Sequence, residues 1–305
     1  MRAIVVTDPE AGPAGLTLQE RPDPEPAINE VVVEVHAAGY VPTELGWPST
    51  WVDRRGLGRA PSIPGHEVAG VVTALGYGTT GLSLGERVFG LTDWHRDGAL
   101  AELVAVESRN LATLPDDVDF TAGASLPISG LTAWQGLIDH GRVEAGQSVL
   151  VHGAAGAVGT MAIQLARELG AHVVGTGRAA DRQKALDLGA HEFVDLDQEA
   201  LEDVGGVDVV LDVIGGDVQR RSVALIRPGG TLVTIVGPAE SVPADGRAID
   251  FVVEPNRAQL GEIAQRVQDG RLRTNVARVA GLDDAVAALN PTERVTGKTV
   301  ISVRS

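Results

Sequence analysis

The sequence predicts an α/β protein in two parts, a β-rich domain and a domain built on a doubly wound parallel sheet. From Met1 to about Phe120 the chain consists of short β-branched runs broken by Gly and Pro, the pattern of strands joined by turns. From about Thr121 to Val253 apolar strands alternate with helical stretches, as parallel βαβ units require. At 305 residues the chain is also long for a single hydrophobic core.

In the first part the strand-like runs are AIVV, EVVVEVHAAG, EVAGVVTALG, RVFGL and AELVAV. A long irregular stretch from Thr43 to Pro64 carries Trp47 and Trp51, and loops of that length usually have a function. In the second part strands are expected near 148–152, 172–176, 207–212 and 231–236, with a last one at AIDFVV. The segment GTMAIQLARELGA sets Met161, Ile163, Leu165, Ala166 and Leu169 at helical spacing and stops at Gly170, which makes it a crossover helix. Beyond Pro255 a helical pattern runs through Leu260, Ile263 and Val267 to Gly270, and the chain closes on a strand-like TVISV. That tail is too short for a domain, so it is expected to complete the first one. The predicted division is 1–120 with 254–305, and 121–253.

Hydrophobic residues at 44% and charged residues at 22% describe an ordinary globular chain. A net charge of -16 argues against a nucleic-acid partner, because phosphate binding relies on Lys and Arg to release counterions. The only lysines are Lys184 and Lys298. The absence of cysteine removes disulfides, thiolate nucleophiles and Cys-ligated zinc together. MRAIVVTD has no leader pattern and no long apolar run follows, so the expectation is a cytoplasmic protein with no membrane partner.

The strongest local motif is SVLVHGAAGAVG, Ser148 to Gly159, a buried strand leading through a glycine turn into a helix. That is the context in which a dinucleotide is bound. Gly153 opens the turn, Gly156 lets the backbone approach a pyrophosphate, and Gly159 lets helix and strand pack closely. The amides around Ala157 and Val158 would hold the phosphates. Ala154 stands where the usual pattern has its first glycine. The second strand, HVVGTG, ends at Thr176 and Gly177 and is followed by Arg178, with Arg182 a turn later. An NAD-preferring site would place an acid there for the ribose 2′-hydroxyl. A guanidinium instead suits a 2′-phosphate, so NADPH is the expected cofactor.

Together with HAAGYVPTEL, PSIPGHEVAGVV, GERVFGL, LPISGLTAWQGL, VDVVLDVIGG, IRPGGTLVTIVG, FVVEPNRAQLGEIAQRVQDGRL and TGKTVISV, this motif resembles the medium-chain dehydrogenase/reductase superfamily, in its zinc-independent quinone oxidoreductase branch. The resemblance covers almost the whole chain. It implies a GroES-like catalytic domain and a Rossmann domain. Zinc members place a Cys, a His and a Cys at the positions of Val41, His66 and Ile128, and two apolar side chains cannot ligate a metal. No metal is therefore expected.

The resemblance also implies where the reacting groups lie. Thr132, Val213, Ile214, Gly215, Val236, Gly237, Phe251 and Val253 would line the nicotinamide end of the cofactor. Val41, Trp47, Trp51, Trp94 and Ile128 would form the wall of the substrate pocket, and Tyr40, Thr43 and His66 are the candidate proton donors. The expected reaction passes a hydride to a quinone or a similar electron-poor carbonyl or alkene. Reduction of an enoyl or enone metabolite, and a non-catalytic NADPH-binding role, stay open beside it. A homodimer acting on a small molecule is the expected assembly.

Overall fold

The computed structural model describes residues 1–304 and divides into two compact units. One comprises Met1–Ile128, Pro255–Gly270 and Thr274–Ser305; the other comprises Ser129–Glu254 and Arg271–Arg273. The boundary therefore falls after Ile128 and not after residue 120. The helix Phe120–Ser125 lies in the first unit, where Gly123 sits against Leu114 and Ala69. Asp119 caps this helix by accepting the Ala122 amide at 2.8 Å.

The first unit is built on a seven-stranded sheet. Its spatial order is Val276–Gly281, Lys298–Ser302, Glu30–Tyr40, Glu67–Leu75, Arg87–Leu91 and Leu111–Thr113, and Leu103–Glu107 pairs with Glu30–Tyr40 off that path. The C-terminal strand Lys298–Ser302 runs antiparallel to Glu30–Tyr40, with Thr299 opposite Tyr40. Its Ile301 joins Val33, Val68, Val88 and Leu100 in one buried apolar cluster, while Glu254 and Arg271–Arg273 of the tail fall in the other unit, unlike the expected division. The helix Arg257–Gln268 begins at Asn256, whose side chain accepts the Gln259 amide.

The second unit is a six-stranded parallel sheet. Its spatial order is Glu192–Asp195, His172–Gly177, Ser148–Val151, Val207–Asp212, Ile226–Thr234 and Gly246–Asp250. Numbered along the chain this is 3-2-1-4-5-6, the doubly wound order, whose ligand site lies beyond the carboxyl ends of the central strands. Glu192–Asp195 was not among the expected strands, because a short edge strand with charged ends carries little apolar signal. The last strand covers Gly246–Asp250 instead of AIDFVV, which leaves Phe251–Glu254 as extended chain beyond it.

Candidate active site

The glycine turn is formed as its residues require. Gly153 has φ +63°, a conformation that favours glycine, and the Gly156 amide closes the turn on the Gly153 carbonyl at 2.9 Å. The helix Ala157–Glu168 starts immediately after it. A Cβ on Gly159 would lie 2.2 Å from the Gly153 carbonyl oxygen and 2.8 Å from the Ala154 Cα, so only glycine lets the helix sit this close to the turn. Ala154 is buried, and its amide donates to the Thr176 carbonyl at 2.9 Å. Gly156, Ala157 and Val158 remain half-buried at the helix N-terminus. This turn and helix end fit a dinucleotide pyrophosphate.

Beyond the second strand, Arg178 is exposed, and its guanidinium has no hydrogen-bond or ion-pair partner among the described residues. Arg182 differs. It donates to the Phe193 carbonyl and to Glu199, both at 2.7 Å, and lies over the Phe193 ring. Only Arg178 of the expected pair is free to meet a phosphate, because Arg182 is engaged in holding the third strand.

Beneath the carboxyl ends of the strands lies a buried polar layer. His152, Thr176, Asp212, Ser222 and Thr234 are wholly buried and Gln219 is nearly so. Ser222 donates its hydroxyl proton to the Val218 carbonyl at 2.7 Å, so it accepts from His152 Nε2, also at 2.7 Å. His152 Nδ1 then accepts from Thr176 Oγ1 at 2.8 Å. Burial pushes the imidazole well below its usual range, in keeping with this neutral tautomer. The Thr176 hydroxyl is thus turned inward to His152; it is not available to a cofactor.

Asp212 ends the fourth strand. Its Oδ1 accepts the amides of Ile214 at 3.0 Å and Gly215 at 2.9 Å. Its Oδ2 accepts Gln219 Nε2 at 2.8 Å and Thr234 Oγ1 at 3.0 Å. Gln219 Oε1 in turn accepts the Glu240 amide at 2.8 Å. These bonds bring the expected cofactor segments together: Gly153 lies against Val213, and Gly215 against Val236. Ile214 and Val236 are exposed above the layer, with Gly237 half-buried beside them.

Gln135 holds the neighbouring segment. It exchanges two hydrogen bonds with the Glu254 backbone, at 2.8 and 3.0 Å, at the start of a π-helical turn. The Phe251 ring lies 4.6 Å from His140, so it serves packing within the unit. Val253 and Thr132 are buried. Asp212, Gln219 and Gln135 were all missed in the sequence. An acid closing the apolar run VDVVLD ahead of two glycines was the one available signal.

In the first unit the buried carboxylates are engaged by structure, whereas the Tyr40 hydroxyl is buried without a hydrogen-bond partner among the described residues. Glu44 is wholly buried, and it accepts the Val41 amide at 3.0 Å and the Gly65 amide at 2.7 Å. Burial raises its carboxyl to about 7. Glu67 accepts the Ile128 amide at 2.9 Å and pairs with Lys298, itself buried. The segments of Val41, His66 and Ile128 are therefore assembled by two carboxylates, while Val41 and Ile128 present only alkyl groups. Among the described residues no group of three His, Asp or Glu side chains is placed to hold a metal ion.

His66 is buried, bonded through Nδ1 to Thr92 Oγ1 at 2.7 Å, and lowered by burial to about 3. It is a neutral ring, not an acid in reserve. Trp94 meets it edge-on at 5.2 Å, and Trp47 lies over it at 6.4 Å. Trp51 does not join them; it packs on the core and donates Nε1 to the Leu45 carbonyl. Tyr40 also belongs to the core. Burial raises its phenol, which makes it a poor proton donor. Thr43 is exposed on the short helical turn Pro42–Gly46.

Comparison with known proteins agrees with this geometry. Residues 27–116 match the family described as "Alcohol dehydrogenase GroES-like domain", and residues 188–301 match "Zinc-binding dehydrogenase". The quinone oxidoreductase of Pongo abelii is 30% identical over 97% of this chain and 92% of its own length. The spectinabilin polyketide synthase system protein NorB of Streptomyces orinoci is 35% identical over 91% of this chain, which spans only 13% of NorB. Among solved structures, the quinone oxidoreductase from Coxiella burnetii superposes with TM-score 0.88 at 29% identity, covering 100% of this chain and 99% of that one. A mycobacterial protein complexed with NADPH, Rv1454c, gives TM-score 0.86 at 26% identity over 99% of this chain and 100% of its own.

Proposed function

We propose, for a chain that belongs to the quinone oxidoreductase-like branch of the medium-chain dehydrogenase/reductase superfamily, an NADPH-dependent reduction of a quinone or similar electron-poor carbonyl or alkene, carried out without a catalytic metal. Relatives in this family bind nicotinamide cofactors. The observation that carries the choice of NADPH is Arg178, an exposed guanidinium without a partner, standing where an acid would select NADH. The NADPH-complexed mycobacterial neighbour supports it.

NADPH supplies a hydride from C4 of its nicotinamide. Within the second unit, the Gly153–Gly159 turn would hold the pyrophosphate and Arg178 the 2′-phosphate. The loops at Val213–Gly215 and Val236–Gly237 would orient the ring. For the acceptor, the first unit offers an aromatic surface, Trp47 and Trp94 against a neutral His66, which suits a planar conjugated molecule. A quinone needs no side-chain acid, since its reduced oxygen takes a proton from water. That matches a unit in which His66 is neutral and the Tyr40 phenol is buried. Val41 and Ile128 remove two metal donors, so the developing oxyanion is left to hydrogen bonds and solvent.

A second reading, reduction of the carbon-carbon double bond of an enoyl or enone metabolite, uses the same hydride donor and the same metal-free surface. NADPH consumption measured over quinones, enones and enoyl thioesters, with a chelator present throughout, tests both. Turnover of small quinones unaffected by chelator is the expected result, and activity confined to enoyl thioesters would replace the first reading with the second. Loss of all turnover on chelation, restored by zinc, would overturn the metal-free mechanism. A homodimer formed through the edge strand Gly246–Asp250, flanked by exposed Val242 and Val252, completes the proposal. A monomer by sedimentation would remove that part.

A further inference from the structure

The buried layer of the second unit carries one ionised group without a counterion. Asp212 receives four hydrogen bonds, all from neutral donors, and no Lys or Arg reaches it among the described residues. The nearby His152 is committed as a neutral tautomer between Thr176 and Ser222. Burial works to raise the carboxyl, but the hydrogen bonds from Gly215, Gln219 and Ile214, with a smaller contribution from His152 when that ring is protonated, outweigh it and hold the group below its usual range, so it is charged at neutral pH, where His152 is neutral.

A buried charge with no partner is costly to keep, and its field is weakly screened. The place of this charge gives that field a use. Asp212 ends a central strand of a doubly wound sheet, and its Oδ1 directly clamps the turn that carries Val213, Ile214 and Gly215. Through Thr234 and Gln219 it also fixes the chain at Val236 and Glu240. One carboxylate thus sets the position of both loops and lays a negative potential beneath them.

We propose that Asp212 is a positioning residue for the nicotinamide end of the cofactor, and that its charge makes this site favour the oxidised, positively charged ring over the neutral reduced one. The inference rests on the cofactor reading given above. In a reductase such a field lowers the barrier to hydride departure, because the ring gains positive charge as the hydride leaves. It also slows release of the oxidised product.

Dissociation constants of NADPH, from its fluorescence, and of NADP⁺, by displacement, test this in wild type and three variants. Asp212→Asn removes the charge, and Gln219→Lys neutralises it with the carboxylate still in place. Both are expected to raise the ratio of the NADP⁺ constant to the NADPH constant by roughly tenfold, the scale of one unit charge in a partly screened interior. Thr234→Val keeps the charge and loosens the loops, so both constants rise together and the ratio stays within twofold. A purely structural Asp212 would weaken both ligands alike in every variant. An unchanged ratio in Asp212→Asn, or in Gln219→Lys should the former not fold, overturns the inference while the cofactor reading stands. Wild-type protein that binds neither nucleotide overturns both.

Discussion

Each unit buries a polar cluster, and the two clusters differ in what their polar groups face. In the β-rich unit Glu44, Glu67 and Lys298 satisfy one another or the backbone of Val41, Gly65 and Ile128, and Trp47 and Trp94 lie against His66. In the parallel-sheet unit the cluster ends upward, in the loops at Val213–Gly215 and Val236–Gly237 that stand partly exposed above it. The carboxylates of the first cluster are closed on the backbone and on Lys298. The second holds Asp212 among neutral donors beneath loops whose Ile214 and Val236 are exposed. Polar groups turned wholly toward structure contribute stability, and those that end at open loops can act on a ligand.

The largest effect should come from the first cluster. Glu67→Gln leaves the Lys298 ammonium buried and unpaired, so chemical denaturation should record a loss of about 3–5 kcal/mol. The double variant Glu67→Leu, Lys298→Met should recover part of it. Full stability in the single variant would show that the pair is not structural.

Next is Gly159→Ala. The added carbon meets backbone on both sides of the glycine turn, so about 1–3 kcal/mol of stability and most NADPH affinity should be lost. Calorimetric unfolding and NADPH titration read both. Normal NADPH affinity would mean that the turn does not hold the pyrophosphate.

The two clusters also predict a pH profile. His66 and His152 are lowered from 6.5, so the unfolded chain takes up protons that the folded chain refuses, and their contribution is lost as pH falls below about 6.5. Glu44 is raised from 4.5 to about 7, so the folded chain keeps its proton longer, and that contribution is lost as pH rises through 7. Between pH 4.5 and 6.5 two histidine protons oppose one carboxyl proton, and stability from these groups should rise by about 1.4 kcal/mol per pH unit. It should decline slightly above 6.5, and Glu44→Gln should abolish that decline. Denaturant midpoints across pH 4.5–8 check the sign, and a monotonic rise in wild type would contradict it.

The smallest change lies away from both clusters. Gly261 sits in the exposed middle of the helix Arg257–Gln268 with open space around its Cα, so Gly261→Ala should stabilise by about 0.5–1 kcal/mol and leave NADPH affinity unaltered.

What the sequence made legible was local. SVLVHGAAGAVG held strand, turn and helix within a dozen residues, and the division into β-rich and parallel-sheet parts followed from the period of the apolar runs. The polar layer was not legible, because His152 meets Ser222 across 70 positions and Gln135 meets Glu254 across 119. Side-chain direction was also hidden. Tyr40 and Thr176 stand in the expected segments, but the sheet turns both inward, and Arg182 was already taken by Glu199. Residue type at a strand end pointed to the segments of the candidate site, and only the packing showed which of their side chains are already engaged.

The most direct test is the affinity of NADPH against NADH for wild type and Arg178→Ala. With Arg178 free to meet a 2′-phosphate, wild type should bind NADPH at least roughly tenfold more tightly than NADH, and Arg178→Ala should lose most of that difference through weaker NADPH binding alone. Equal affinities in wild type, or a preference that survives removal of the guanidinium, would contradict it.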